Sequence, residues 1–259
     1  MSVQRHLAAG LAAFTIALAA GSAHAEMKNQ WVDYSHGNTK LKGYMAYDDS
    51  VAGKRPAVLV LHARDGMTDA TLRKTQVWAK LGYVAFAADI YGYGEGVLPK
   101  TVPEEQAQTE IYSKDRPLMQ ARTKAGFDAL VSNPMVDVSR VAAVGYCFGG
   151  AVAVEFGSTG APLAANVTIH GSFRNHAAGW ATNAKGMYLI LHGAEDMAYP
   201  LPIVDKVVQE LRSAKVPFQM EVYGGIGHGF SSPKNKAEER ANEQSIGTAA
   251  RTFKELFGV

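Results

Sequence analysis

The chain has 259 residues, 47% of them hydrophobic and 19% charged, a globular composition that excludes disordered, collagenous and disulfide-scaffold classes. The formal charge is only +2, and no basic block or stripe with interleaved aromatics occurs, so no nucleic acid and no anionic membrane surface is expected as a partner. The length accommodates one α/β domain with a wide buried sheet, since such domains run to about 250 residues.

Residues 1–25 read as a secretory signal: Arg5 and His6 form a short polar start, Leu7 to Ala20 an apolar run, and Ala23-His24-Ala25 a small-x-small cleavage site. The mature domain, 26–259, is expected to begin at Glu26 and to reside in the periplasm or outside the cell. The apolar run is shorter than the roughly 20 residues of a spanning helix, and no cysteine lies beside Ala25 for lipidation, so no membrane anchor is expected. Cys147 is the one cysteine of the chain. It has no intramolecular disulfide partner and is either a small buried hydrophobe or a free reactive thiol.

Gln30 to Ser35 and Lys40 to Tyr47 are rich in β-formers around the turn residues His36-Gly37-Asn38, which predicts an antiparallel hairpin near a sheet edge. Pro56 to His62 is a continuous apolar run, the pattern of a parallel strand buried on both faces. A helix from Thr68 or Asp69 carries Leu72, Val77, Trp78 and Leu81, and Val84 to Ala88 is a second buried strand ending at Asp89. The polar segment from Tyr91 to Arg116 has no clear periodicity and is expected to overhang the site. From Pro117, with Asp115 as cap, Leu118, Ala121, Ala125 and Ala129 mark a helical face that Asn133-Pro134 ends. Arg140 to Gly145 is a strand followed at once by a small-residue helix through Phe156, and Ala165 to His170 and Gly186 to His192 are two more strands. Val204, Val207, Val208 and Leu211 mark a helix by their spacing. Pro217 to Tyr223 closes the sheet, and a last helix from Pro233 buries Ile246, Ala249, Ala250 and Phe253. The alternation predicts an α/β fold with a mostly parallel central sheet, an antiparallel N-terminal edge and helices on both faces.

The chemistry concentrates in three loops. Gly145-x-Cys147-x-Gly149 lies between a buried strand and a helix, the arrangement of a nucleophile elbow whose neighbours cannot carry a Cβ, although glycines there also serve tight strand-helix packing. The helix N-terminus favours a thiolate at Cys147 and an oxyanion beside it. Asp196 follows the strand ending at His192, and His228 follows the strand ending at Tyr223. The order nucleophile, acid, histidine is the one an α/β-hydrolase fold requires. Glu195 competes with Asp196 for the acid position. His62, His170 and His192 end strands near the site, but none has metal-ligand spacing to a second His or Cys, which points to structural hydrogen bonding, with no metal and no cofactor expected. His62, Arg64 and Tyr93 are the candidate substrate-contacting residues.

Gly145-Tyr-Cys-Phe-Gly-Gly150, Asp89-Ile-Tyr-Gly and Gly227-His228-Gly-Phe resemble the corresponding segments of the dienelactone hydrolase family, and the resemblance covers most of the mature chain. It implies the α/β-hydrolase fold and a triad carried by Cys147, Asp196 and His228. Acyl-transfer chemistry then assigns attack to Cys147, proton transfer to His228 and its orientation to Asp196, with the backbone N–H groups of Phe148 and Ala63 as oxyanion hole. Two departures matter. Members resembling the founding enzyme place a thiol-bonding glutamate where this chain has Ala63, and carboxylate-binding arginines where it has Tyr93 and Ser232. A monomeric hydrolase of a small-molecule ester or lactone other than dienelactone is expected. The alternative is an exported, non-catalytic ligand-binding protein on the same fold, which fold alone does not separate.

Overall fold

The structure is a computed structural model and describes residues 26–173 and 176–258. The expected signal segment lies outside the described residues. The strands are β1 (Met27–His36), β2 (Thr39–Asp48), β3 (Arg55–Leu61), β4 (Val84–Ala88), β5 (Val136–Tyr146), β6 (Ala165–Ile169), β7 (Met187–Gly193) and β8 (Phe218–Tyr223). They form one sheet in the order β1-β2-β4-β3-β5-β6-β7-β8. The β1–β2 hairpin is antiparallel and joins β4 antiparallel, and all pairings from β4 to β8 are parallel. The expected mostly parallel sheet with an antiparallel amino-terminal edge is thus what the chain forms.

The central strands are buried throughout, so successive side chains feed opposite cores. Val58, Val60, Ala85, Ala87, Ala142 and Val144 pack with Trp78 of α1 (Asp69–Lys80) and with Ala249, Phe253 and Phe257 of α6 (Lys236–Phe257). The alternate residues Ala57, Leu59, Leu61, Phe86 and Ala143 face Met119, Phe127 and Leu130 of α3 (Arg116–Val131) and Val152, Ala153 and Phe156 of α4 (Phe148–Ser158). Tyr188 and Ile190 meet Val204, Val207 and Leu211 of α5 (Leu201–Ser213). Helices therefore cover both faces. Trp78 is fully buried and its indole N–H donates to the Tyr146 hydroxyl at 3.1 Å, which fixes α1 to the strand that carries the site.

The segment 91–116 departs from expectation. It contains a short 3-10 turn at Tyr93–Glu95 and a full helix, α2 (Val102–Lys114), capped by the Thr101 side chain on the Glu104 N–H. Within α2 only Tyr112 is buried, while Val102 and Ile111 are half exposed. A helix that rests on a cavity and not on a core needs no apolar stripe, so periodicity does not reveal it. The apolar face of α3 also differs: Met119, Thr123, Gly126, Phe127 and Leu130 are buried, whereas Leu118, Ala121, Ala125 and Ala129 are only partly so. A Cβ on Gly126 would stand 2.5 Å from the Ala88 side chain, so α3 closes on the sheet at its glycine and the alanines turn aside. Leu81 is exposed and caps α1 with its backbone N–H instead of filling the core.

Candidate active site

Cys147 stands between the end of β5 and the first residue of α4 with φ 52° and ψ −115°, a conformation that costs a non-glycine residue on the order of 1–3 kcal/mol. The surrounding backbone holds it there. The Cys147 N–H donates to Ile169 O at 3.2 Å, and Cys147 O accepts from Gly150 N–H at 2.9 Å and from Ser172 N–H at 3.0 Å. The flanking glycines are required sterically: a Cβ on Gly145 would meet Gly149 O at 1.9 Å, and one on Gly149 would meet Leu61 O at 2.1 Å. The motif is thus an elbow, and its glycines also serve close packing, so both readings of the sequence apply at once.

The histidine loop after β8 brings His228 Nε2 to 3.2 Å from Cys147 Sγ, and His228 Nδ1 donates to Asp196 Oδ2 at 2.7 Å. Asp196 is buried, and its Oδ1 accepts the backbone N–H groups of Ala198 and Tyr199, both at 3.0 Å. Glu195 is exposed and turns away. Burial works against ionisation of Asp196, but the His228 hydrogen bond, the Tyr199 N–H and the charge of His228 outweigh it and hold the carboxyl below its usual range. Burial likewise opposes charge on His228, yet its bonds to Asp196 and Cys147 and their negative charges raise it to about 9. Burial pushes the Cys147 thiol up; the hydrogen bond and charge of His228, with contacts from Ser172 and the Phe148 N–H, bring it below its ordinary value. The balance favours a thiolate beside an imidazolium.

These groups open into a cavity of about 470 Å³ lined on one side by Cys147, Phe148 and His228 and on the other by Gln106, Thr109 and Ser113 of α2. The expected overhang is this helix. Phe148, at the first helical position, directs its N–H at the cysteine sulfur. Leu61 pairs with Gly145 in the sheet, so the chain leaving β3 reaches Ala63 beside the elbow.

The three expected substrate-contacting residues separate. Arg64 lines the cavity and pairs with Glu105 of α2 at 2.7 Å. His62 lies behind the wall: its Nδ1 donates to Ala63 O at 2.7 Å, its Nε2 accepts from the Ile90 N–H at 3.3 Å, and Tyr91 and Phe148 cover its ring. Burial keeps it neutral, as the accepting Nε2 requires. Tyr93 is not among the residues lining the cavity, and its ring stacks on Trp31 at 5.2 Å. The cause is the turn itself, because Asp89 accepts the Gly92 and Gly94 N–H groups and a Cβ on Gly94 would stand 2.7 Å from the Lys40 backbone. His192 Nε2 donates to Tyr199 O at 2.8 Å and supports the acid loop, and His170 bonds Ser231 through Nε2 at 2.7 Å. Ser232 is exposed, beside Lys74 and outside the main cavity.

Two features escaped the sequence. Ser172 Oγ lies 3.6 Å from Cys147 Sγ; its signal was a hydroxyl just past the carboxyl end of β6, the strand next to the elbow. At the far end of the cavity, Glu155 of α4 is buried and bonded by Arg116, Gln120 and His176, a polar cluster that sequence spacing does not assemble. Among the described residues, Cys147, His170 and His228 also place one metal-ligating atom each within 4.8 Å of one another.

The model of the dienelactone hydrolase family matches residues 41–257. The chain belongs to the dienelactone hydrolase family. Its solved relatives include a dienelactone hydrolase-like promiscuous phosphotriesterase, P91, from metagenomic libraries, 33% identical, with a TM-score of 0.83 over 90% of this chain and 99% of that one. Another, named m3DLH, is 32% identical with a TM-score of 0.84 over 89% of this chain and 98% of that one. A Synechocystis sp. protein named "Putative carboxymethylenebutenolidase" is 25% identical over 90% of this chain and 97% of its own. Membership in the dienelactone hydrolase family supports a hydrolase of esters or lactones on the α/β-hydrolase fold.

Proposed function

We propose that the protein hydrolyses a small carboxylic ester or lactone through a thioester intermediate on Cys147. The observation that carries this is the unbroken chain Asp196–His228–Cys147, at 2.7 and 3.2 Å, opening on a cavity. Cys147 Sγ attacks the carbonyl carbon, and the oxyanion is held by the Phe148 and Ala63 N–H groups. His228 delivers its Nε2 proton to the leaving alcohol and then takes one from the water that cleaves the thioester. Asp196 keeps the imidazole in the productive tautomer throughout.

The arginines that line the cavity, Arg64 and Arg116, are paired with Glu105 and Glu155, which argues for a substrate without the carboxylate of dienelactone. The balanced charges of Arg64, Arg116, Glu110 and Glu155 around the cavity agree with a polar, uncharged acyl group. Aryl phosphotriesters belong in the assay panel, because the same oxyanion donors suit a tetrahedral phosphoryl centre and a 33% identical relative carries that name. The deciding experiment exposes the protein to an ester panel and looks by mass spectrometry for an acyl adduct on Cys147 that forms and then disappears on turnover. Ligand binding that survives Cys147→Ala without any adduct supports the binding-protein alternative and removes this one.

The composition of residues 1–25 supports export to the periplasm or outside the cell, and we propose that the mature chain is a monomer. Amino-terminal sequencing of the natural product is expected to begin at Glu26, and an intact Met1 on a cytoplasmic protein refutes it.

A further inference from the structure

His170 is more than a strand-end histidine. It is buried, has φ 43°, and packs edge-on against the His228 ring at a centroid distance of 4.9 Å. Its Nε2 is engaged by the Ser231 hydroxyl at 2.7 Å, while its Nδ1 is buried with no hydrogen-bond partner. A buried orphan N–H is rarer and costlier than an orphan lone pair, so the proton belongs on Nε2 and the lone pair on Nδ1. Burial and the neighbouring charge of His228 keep this ring neutral.

Set beside Cys147 and His228, this is the donor set of a metal site. A thiolate and two imidazoles suit a borderline-soft divalent ion. Both rings already have the outer partners that metal-bound histidines use, Asp196 on His228 Nδ1 and Ser231 on His170 Nε2. Tetrahedral zinc, with bonds of about 2.3 Å to sulfur and 2.05 Å to nitrogen, separates its donors by about 3.3 to 3.6 Å. Cys147 Sγ and His228 Nε2 stand 3.2 Å apart, and a ring nitrogen of His170 lies within 4.8 Å of the other two donors, so bringing it to bonding distance needs a shift of the His170 ring of up to about 1.5 Å. The cavity leaves the fourth position open to water.

We propose that Cys147, His170 and His228 form a reversible Zn²⁺ site that blocks the nucleophile. Zinc displaces the proton shared by His228 and Cys147, which leaves to solvent, and forms one Zn–S and two Zn–N bonds without any change of oxidation state. The site rests on the positions of these side chains and not on their catalytic roles, so it stands or falls separately from ester hydrolysis.

The test is isothermal titration of the purified, untagged protein with Zn²⁺, paired with Co²⁺ absorption spectra. One Zn²⁺ per chain is expected, with affinity lowered at least about tenfold in Cys147→Ser and in His170→Asn, and about tenfold in Ser231→Ala, in line with the effect of losing an outer partner. Co²⁺ should give a thiolate-to-metal charge-transfer band that Cys147→Ser abolishes. If His170→Asn does not fold, Ser231→Ala carries that arm. No stoichiometric binding, a cobalt spectrum without the thiolate band, or losses smaller than tenfold in Cys147→Ser or in the His170 arm overturn the site, whether or not the protein hydrolyses esters.

Discussion

Asp196→Asn tests the proposed mechanism with almost no change in shape. Asp196 Oδ1 accepts two backbone N–H groups, from Ala198 and Tyr199, at 3.0 Å each, and Oδ2 accepts the His228 Nδ1 proton at 2.7 Å. An asparagine in this frame must turn its carbonyl oxygen to the two N–H groups, because its NH₂ would meet two donors there. The NH₂ is then forced to face His228 Nδ1 and donate to it. The imidazole proton moves to Nε2, where it stands 3.2 Å from Cys147 Sγ and leaves no lone pair to act as base. Loss of the correct tautomer in an acyl-transfer triad costs about 10³ to 10⁴ in turnover, equivalent to about 4 to 5.5 kcal/mol of transition-state stabilisation. The assay is steady-state and single-turnover hydrolysis of an aryl ester, with a thermal melt to show that the fold is intact. Glu195→Gln, at an exposed position, is the control and should stay within about twofold of wild type. An Asp196→Asn protein that retains a tenth or more of wild-type turnover, or a Glu195→Gln protein that is the worse of the two, refutes the reasoning.

Cys147→Ala and His228→Ala should each lower aryl ester hydrolysis by about a thousandfold or more, since members of a triad act as a unit; initial-rate measurements decide it. The pH profile of iodoacetamide alkylation reports the resting thiol. With the Cys147 pKa lowered and that of His228 raised to about 9, the ion pair persists between the two values. Alkylation should therefore continue below the pH at which an ordinary thiol of pKa ~8.5, about 3% ionised at pH 7, reacts appreciably, and it should fall away only through the lowered value. A single rise near pH 8.5 in the wild type, or an unchanged profile in His228→Ala, contradicts the pair. Gly149→Ala drives a Cβ to 2.1 Å from Leu61 O, a backbone atom that cannot rotate aside, and should destabilise by about 1–3 kcal/mol. Gly224→Ala, with open space around it, should leave the melting temperature nearly unchanged.

The fold was legible where local pattern and global position agree. β3, β4 and β7 are short, largely apolar runs bounded by turn residues, a pattern that suits a strand buried on both faces of a parallel sheet. The Cys147–His228–Asp196 arrangement was legible because each residue follows on a strand of the sheet: Cys147 after β5, Asp196 after β7, His228 after β8. What stayed hidden has physical reasons. Helix α2 covers a cavity, so its sequence carries no stripe, and the buried face of α3 is set by close approach at Gly126 and not by its alanines. Tyr93 was misplaced because one carboxylate, Asp89, winds the glycine turn toward the hairpin. Ser172 lies in the loop after β6, and the Glu155 cluster joins α4 to the first turns of α3 and to His176, so their meeting depends on three-dimensional register.

Ala63 stands where a thiol-bonding acid was expected from the resemblance, and the structure shows what surrounds the sulfur in its place. The polar groups in contact with Sγ are His228 Nε2 at 3.2 Å, Ser172 Oγ at 3.6 Å and the Phe148 N–H. Each of these donates to an anion, and none is a carboxylate that would repel one or hold the neutral thiol. The strained elbow fixes the sulfur among these donors before substrate arrives, so little reorganisation is left for the acylation step. A nucleophile poised in this way gains reactivity but gives up discrimination at the sulfur, because any accessible electrophile meets a thiolate. Selection is then expected to come from access, and Gln106, Thr109 and Ser113 of α2 line the cavity with Cys147 while Glu105 of the same helix pairs with Arg64. The helix without an apolar stripe is therefore the element in which substrate choice is expected to reside.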